Sequence, residues 1–133
     1  MSLTEQITNF LQENATKMLT WPDHLLERYI QFYRDEGAIG VIRLRGDIVG
    51  IGTARPVNRQ NDAQDRWEFD ENGDTIFIDE IVVTEKAVIP LLWKMMVERF
   101  GQRPFVAGTR HGKLRVWDFA KYDSKMNLLL LKG

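Results

Sequence analysis

The chain of 133 residues is long enough for one domain with its own core, and 44% hydrophobic and 28% charged residues are typical of a globular protein. It has no cysteine, which excludes disulfides, thiolate metal ligands and a cysteine nucleophile and fits a reducing compartment. The two histidines, His24 and His111, are too few for a structural zinc site. We therefore expect one cytoplasmic domain over residues 1–133, without a bound metal, signal peptide or membrane span.

The net charge of −1 is unevenly distributed along the chain. Residues 1–98 have 10 basic and 17 acidic side chains, whereas residues 99–133 have 8 basic and 2 acidic ones. A basic C-terminal quarter on an acidic body is typical of an anion-binding face. Alternatively, the charges interleave and balance on the folded surface, because sequence position does not fix spatial clustering.

Two helices are predicted at the start of the chain. Apolar residues at helical spacing predict the first over residues 4–19, with Ser2 and Glu5 in the spacing of a capping box. The second is expected from Pro22 to about Glu36, because proline suits a first helical position and Gly37 can end the helix.

Strand patterns follow from Ala38. Residues 40–45 and 48–54 predict a hairpin around a turn at Gly46-Asp47, and residues 56–66 predict a loop. Residues 67–69 and the turn at residues 70–73 predict a second hairpin or a loop that leads into a long strand, Thr75 to Val83. That strand is almost continuously apolar, which is typical of a central strand covered on both faces.

The remaining elements alternate in type. A third helix is predicted from Val88 to Gly101 and a short strand over residues 104–109. A fourth helix is then predicted over residues 113–122 and a last strand over residues 125–131. This order predicts an α+β fold, an α/β sandwich with a mixed sheet, two N-terminal helices and two later helices.

The order of elements resembles the GNAT (Gcn5-related N-acetyltransferase) superfamily over nearly the whole chain. Residues 46–50 resemble a hairpin common in that family, and residues 78–83 resemble its central strand. Residues 110–115 resemble a basic stretch of short, divergent acetyltransferase-like proteins from phages and prophages. The family's R/Q-x-x-G-x-G/A loop is missing, since Ala87, Val88 and Pro90 stand where it would lie.

The resemblance implies acetyl-CoA or another acyl-CoA as cofactor, with the backbone of Val82 and Val83 holding the pantetheine arm and acyl group. It also implies a tyrosine as general acid on the fourth helix, where Tyr122 is the candidate.

Glu80 is the candidate general base, because a carboxylate on a central strand can deprotonate an attacking amine. Alternatively, one of Asp79 and Glu80 faces solvent and the other pairs with an arginine. Adjacent strand residues point to opposite faces, so we expect at most one of them to serve a given site.

Arg110 and Lys113 are candidates for binding the phosphates of a cofactor or a nucleic acid. Alternatively, they belong to a solvated turn and helix start, with Arg115 and Asp118 paired. No aromatic residues interleave with these charges in the manner used for base stacking, which disfavours nucleic acid as a partner.

Three functions remain open. The first is a divergent acyl-CoA-dependent N-acyltransferase that acts on a small-molecule or protein amine. The second is a non-catalytic binding or assembly protein on the same fold, of phage origin, and the third is a weak nucleic-acid binder. An open wedge between the strands after Val83 and before Thr109 favours the enzyme, whereas a gap filled by side chains favours the second alternative. The sequence does not fix the oligomeric state.

Overall fold

A computed structural model describes residues 2–15, 18, 20–58, 68–110 and 112–132. Over these residues, four helices and a five-stranded mixed sheet confirm the α+β fold class with two N-terminal and two later helices. In chain order the elements are α1 (Leu3–Asn14), α2 (Asp23–Asp35), β1 (Ile39–Leu44), β2 (Asp47–Val57), β3 (Thr75–Val83), α3 (Ile89–Phe100), β4 (Phe105–Arg110), β5 (Lys113–Asp118) and α4 (Phe119–Lys132).

The strands lie in the sheet in their chain order. β1 with β2, β2 with β3 and β4 with β5 are antiparallel, whereas β3 and β4 are parallel. A parallel pair needs a crossover connection, and α3, preceded by a 3-10 turn at Lys86–Val88, supplies it. The sheet therefore starts with antiparallel pairs and continues through a β-α-β crossover, as the predicted mixed sheet requires.

The helices cover both faces of the sheet. α2 lies on one face, where the Tyr29 hydroxyl is hydrogen-bonded to Thr53 Oγ1 of β2 at 2.6 Å. The neighbouring Gly52 points to the other face, where an added Cβ would lie 3.5 Å from Leu92 of α3. α4 lies beside α3, because the Trp93 ring packs against Phe119. The central strand Thr75–Val83, predicted to be covered on both faces, has these bounds in the structure.

The helix boundary signals at the start of the chain act largely as predicted. Ser2 caps α1 by accepting a hydrogen bond from the Glu5 N–H at 3.1 Å. Gly37, in a left-handed conformation with φ of 63°, follows the end of α2. α1 is shorter than predicted: it ends at Asn14, and Ala15 is extended. Of the remaining predicted helical residues, 16, 17 and 19 lie outside the described part.

The region between β2 and β3 differs from the prediction. β2 continues to Val57, beyond the predicted start of a loop at residue 56. Residues 68–70 have no regular structure, so of the two predicted alternatives the described residues form the loop that leads into the long strand and not a second hairpin. The Asp70 N–H instead donates to the Pro56 carbonyl, which anchors the chain before the turn that leads into β3. Residues 59–67 lie outside the described part.

The predicted fourth helix at residues 113–122 is wrong, because Lys113–Asp118 forms strand β5. β5 pairs with β4 from Arg110↔Lys113 to Phe105↔Asp118, so two residues, 111 and 112, join the strands. Gly112 has a φ of 77°, which a tight hairpin connection requires and glycine adopts without strain. Two strand-like runs separated by two residues with glycine were the missed signal.

The predicted last strand at residues 125–131 is also wrong, because Phe119–Lys132 forms helix α4. Asp118 Oδ1 accepts a hydrogen bond from the Lys121 N–H at 3.0 Å and caps the first turn. The run of leucines at residues 128–131 suggested a buried strand, but leucine is a strong helix former and lacks the β-branching that favours strands. The chain therefore ends β-β-α instead of the predicted β-α-β.

No helix among the described residues combines the length and apolar character needed to cross a membrane.

Candidate functional site

A cleft opens where the parallel strands β3 and β4 separate. Their pairing runs from Thr75↔Phe105 to Ile78↔Gly108, and both strands continue beyond this last pair. The resulting cleft has a volume of ≈ 1060 Å³ and is bounded by the two strand ends, the start of α3, Trp117 and one face of α4. It lies at the carboxyl ends of parallel strands, where open α/β sheets commonly bind ligands.

Four basic residues contribute to the cleft wall: Lys86 before α3, Arg110 at the end of β4, and Lys121 and Lys125 on α4. Of these four, Arg110 is the one predicted from sequence to bind phosphate. Lys121 and Lys125 are four residues apart and therefore share a helix face, a signal that the wrong assignment of residues 113–131 concealed. The acidic residues at the wall are Asp79, Glu80 and Asp118, the last of which caps α4.

A β-bulge places two neighbouring carboxylates at this cleft. The β2–β3 register shifts so that Thr53 pairs with Glu80 and Ala54 with Ile78, which leaves Asp79 as the extra residue. Asp79 and Glu80 both contribute to the cleft wall. The bulge interrupts the alternation of side chains on which the expectation of a single serving carboxylate was based.

Asp79 forms a buried ion pair, as one of the two sequence alternatives expected. Arg55 Nε lies 2.9 Å from Asp79 Oδ2, and the Arg55 side chain is only 3% exposed. Arg55 also donates to the Glu68 carbonyl oxygen at 2.9 Å. Burial lowers the pKa of Arg55, partly offset by the nearby Glu68 carboxylate. Of the two carboxylates at the cleft wall, Asp79 is thus the one paired with Arg55.

Tyr29 of α2 lies beneath the bulge. Burial raises its pKa well above the usual value, and the negative charges of Asp79 and Glu80 raise it further. The hydrogen bond to Thr53 acts in the opposite direction. A neutral hydroxyl is therefore held next to the two carboxylates over the physiological pH range.

The two residues predicted to be catalytic, Glu80 and Tyr122, both contribute to the cleft wall although 41 residues separate them in sequence. Glu80 is half-buried, and its Oε1 atom is shielded from solvent. Tyr122 lies in α4 and packs on Trp93 and Trp117 with ring centroids 4.8 and 5.8 Å apart. Burial raises the pKa of Tyr122, and Arg110 lowers it in part.

The predicted cofactor-binding residues fall in different places. Arg110 lines the cleft. The Val82 side chain is buried, and the β2 side of the Val82 backbone pairs with Ile51. Val82 lies beyond the last β3–β4 pair, so its backbone edge towards β4 does not pair with that strand. Val83 occupies the end of the same free edge. Lys113 is exposed at the start of β5 and does not line the cleft.

The residues at the family loop positions form the 3-10 turn and the start of α3. Ala87 and Pro90 contribute to the cleft wall, and Pro90 is in the first turn of α3. Proline has no N–H to donate to a phosphate. Lys86 supplies a positive charge at the same end of the cleft.

A second, smaller cavity adjoins the cleft. It lies between α3, α4 and the sheet and has a volume of ≈ 140 Å³. We call it the inner cavity. Six residues contribute to both spaces: Ile78, Glu80, Ile81, Ile89, Tyr122 and Met126. The predicted catalytic residues thus lie at the boundary between a charged cleft and an apolar chamber.

The floor of the inner cavity consists of small residues. Gly40 of β1 and Gly52 of β2 are direct cross-strand partners, and Leu92 of α3 lies above them. Ala38 and Ala54 continue this floor. Leucine and methionine side chains of α3 therefore pack against sheet backbone that has almost no side chains on this face, and the space beside them stays open.

Several other basic residues of the C-terminal quarter serve the fold. Arg99 donates to the Glu36 carbonyl oxygen and pairs with the Glu71 carboxylate at 2.6 Å. Arg103 donates to the Phe100 and Gly73 carbonyl oxygens. His111 lies outside the described residues. Within the described part of the chain, no group of three or more histidine or acidic residues could hold a metal ion.

Comparisons with protein-family models, curated proteins and solved structures gave no match to this chain. The relationship to acetyltransferases therefore stays a prediction from sequence.

Proposed function

We propose that the protein is a divergent acyl-CoA-dependent N-acyltransferase. The observation that carries this proposal is the separation of β3 and β4 beyond Ile78 and Gly108, which opens a cleft with Glu80 and Tyr122 at its wall. An open wedge between these strands is the feature that distinguishes the enzyme from a non-catalytic protein on the same fold. The wedge begins five residues earlier on β3 than expected, at Ile78 instead of Val83.

The cleft has the charges that a phosphate-bearing donor needs. Lys86, Arg110, Lys121 and Lys125 would bind the phosphates, and the free backbone edge at Val82 and Val83 would hold the pantetheine arm. The positive end of the α3 dipole adds to the attraction for anions. These groups stand in for the arginine and glycines of the missing family loop.

Acyl-CoA supplies an activated acyl group as a thioester. The acceptor nitrogen attacks the carbonyl carbon, so that a C–N bond forms and the C–S bond breaks. Glu80 accepts the proton that the amine loses and then releases it to solvent, and Tyr122 donates a proton to the leaving thiolate, after which solvent reprotonates Tyr122. Because burial raises the pKa of Tyr122, its hydroxyl carries the proton that this step needs at neutral pH.

Titration calorimetry with acetyl-CoA at moderate salt tests the binding step. We expect micromolar binding that weakens about tenfold in Arg110→Ala, the loss of roughly one charge-assisted hydrogen bond. Lys94→Ala is the matched control, since Lys94 is exposed on α3 and lies outside the cleft. No heat at millimolar acetyl-CoA would overturn the proposal and favour a non-catalytic protein-binding role.

Thiol release in the presence of a panel of primary amines tests the chemical step. Glu80→Gln should lower the rate by about 10²–10⁴-fold while the affinity for acetyl-CoA stays unchanged. An unchanged rate in this variant would refute the role of Glu80 as the base.

A further inference from the structure

The inner cavity is the feature that the proposed reaction does not use. Its volume of ≈ 140 Å³ is close to that of the engineered cavity, about 150 Å³, that binds benzene in another protein. Unlike that enclosed cavity, this one is partly open to solvent, since Met95 and Ile81 in its wall are 40% and 37% exposed. A space of this size therefore accepts an apolar group of about six carbons.

The wall of the inner cavity is chemically uniform over most of its area. Isoleucine, leucine and methionine side chains dominate it: Ile78, Ile81, Ile89, Leu92, Met95 and Met96. Four residues with polar side chains also line it: Thr53, Glu80, Arg99 and Tyr122, of which Glu80 and Tyr122 line the cleft as well. Methionine side chains are flexible and polarisable, so they adapt to a chain whose shape varies.

The inner cavity adjoins the reacting end of the cleft, because the six shared residues line both spaces. A group bound in the cleft with its carbonyl near Glu80 and Tyr122 therefore lies next to residues that also line the inner cavity. Most of the charged residues line the cleft, whereas the charged residues that line the inner cavity are Glu80 and Arg99. One ligand with a charged part and a short apolar tail matches this arrangement.

We propose that the inner cavity binds a short linear apolar chain of about six carbons, and that in the proposed reaction this chain is the acyl group of the donor. The second clause rests on the proposed function. The donor would then be a medium-chain acyl-CoA in place of acetyl-CoA. Each buried methylene should strengthen binding about fourfold until the chamber is full.

Benzene tests the cavity without any CoA compound. In protein labelled with ¹³C at the methionine methyl groups, benzene should shift the signals of Met95, Met96 and Met126, which line the cavity. Met18 is an internal control, because it is fully buried elsewhere in the core. Unchanged signals for the three cavity methionines, or equal shifts for all four, would overturn the proposal.

A series of acetyl-, butanoyl-, hexanoyl- and octanoyl-CoA tests the identity of the chain by calorimetry. We expect affinity to rise to hexanoyl-CoA and then to level off or fall. Gly52→Ala should move the optimum to a shorter chain, since the added Cβ lies at an ordinary contact distance of 3.5 Å from Leu92 and occupies part of the chamber. Ala120→Leu is the control, because Ala120 is exposed on α4 and lines neither space.

The outcomes separate the two proposals. Acetyl-CoA binding with no gain along the series would overturn the assignment of the acyl chain and leave the proposed function standing. A benzene response without binding of any acyl-CoA would overturn the proposed function, and the assignment of the acyl chain with it.

Discussion

The Asp79→Ala variant should strongly destabilise the protein. Arg55 is 3% exposed, and its Nε atom lies 2.9 Å from Asp79 Oδ2. Removing the carboxylate leaves a buried guanidinium that stays charged, since arginine keeps its proton in proteins. Breaking a buried ion pair from one side costs about 3–5 kcal/mol. We expect the lower end, about 3 kcal/mol, because the Glu68 carbonyl oxygen still accepts from Arg55 and the Glu68 carboxylate lies nearby.

Urea unfolding measures this loss. With a slope of about 2 kcal/mol per molar, a loss of about 3 kcal/mol moves the midpoint down by roughly 1.5 M. Replacing both partners by apolar residues, Arg55→Met with Asp79→Leu, should recover much of the stability, because no uncompensated charge remains. Glu71→Ala is the surface control: its pair with Arg99 is exposed, and its removal should leave the midpoint nearly unchanged.

A loss below about 1 kcal/mol for Asp79→Ala would refute this reasoning, because exposed pairs contribute that little. It would mean that water reaches Arg55.

Three further predictions concern stability and can be checked by urea unfolding. The unfolded state loses the Tyr29 proton near the usual pKa of 10.0, whereas the folded state keeps it, so stability should fall as pH rises above about 10. Tyr29→Phe should reduce this slope by up to about 1.4 kcal/mol per pH unit, and equal slopes would contradict the raised pKa. Gly73→Ala should lower the free energy of unfolding by about 2–3 kcal/mol, because the added Cβ would overlap the Val57 backbone. Gly52→Ala should lower it by less than about 1 kcal/mol, and similar losses in the two variants would contradict the geometry. Asp118→Ala should cost about 1 kcal/mol by removing the cap of α4, and an equal loss in Asp118→Asn would argue against capping.

The first two thirds of the fold could be predicted largely from local signals. Periodicity of apolar residues located α2 and α3, and Gly37 and Gly101 marked their ends. The strand Thr75–Val83 was predicted with its observed bounds, because a continuous β-branched run between a turn and a helix fits few elements other than a buried strand. These elements depend on interactions within a few residues, which a sequence displays directly.

The C-terminal quarter could not be assigned correctly from local pattern. The apolar residues among residues 113–118 have spacings that fit either a strand or a helix. Leu114 and Val116 are exposed in the structure, so a buried face could not distinguish a strand from a helix. The hairpin with β4 decided the strand, and contact with α3 decided the helix that follows. Arg110 and Tyr122 nevertheless line the same cleft, although the elements assigned to residues 113–131 were wrong.

By itself, the sequence determined the α+β class, the central strand and the identity of Glu80 and Tyr122 as chemical candidates. Only the tertiary structure decided that the bulge brings Asp79 and Glu80 to one cleft, that Asp79 neutralises Arg55, and that bare backbone at Gly40 and Gly52 leaves a chamber beside the site. The physical reason is the range of the interactions. Propensity and periodicity act within one element, whereas register shifts, strand separation and cavities arise where several elements meet.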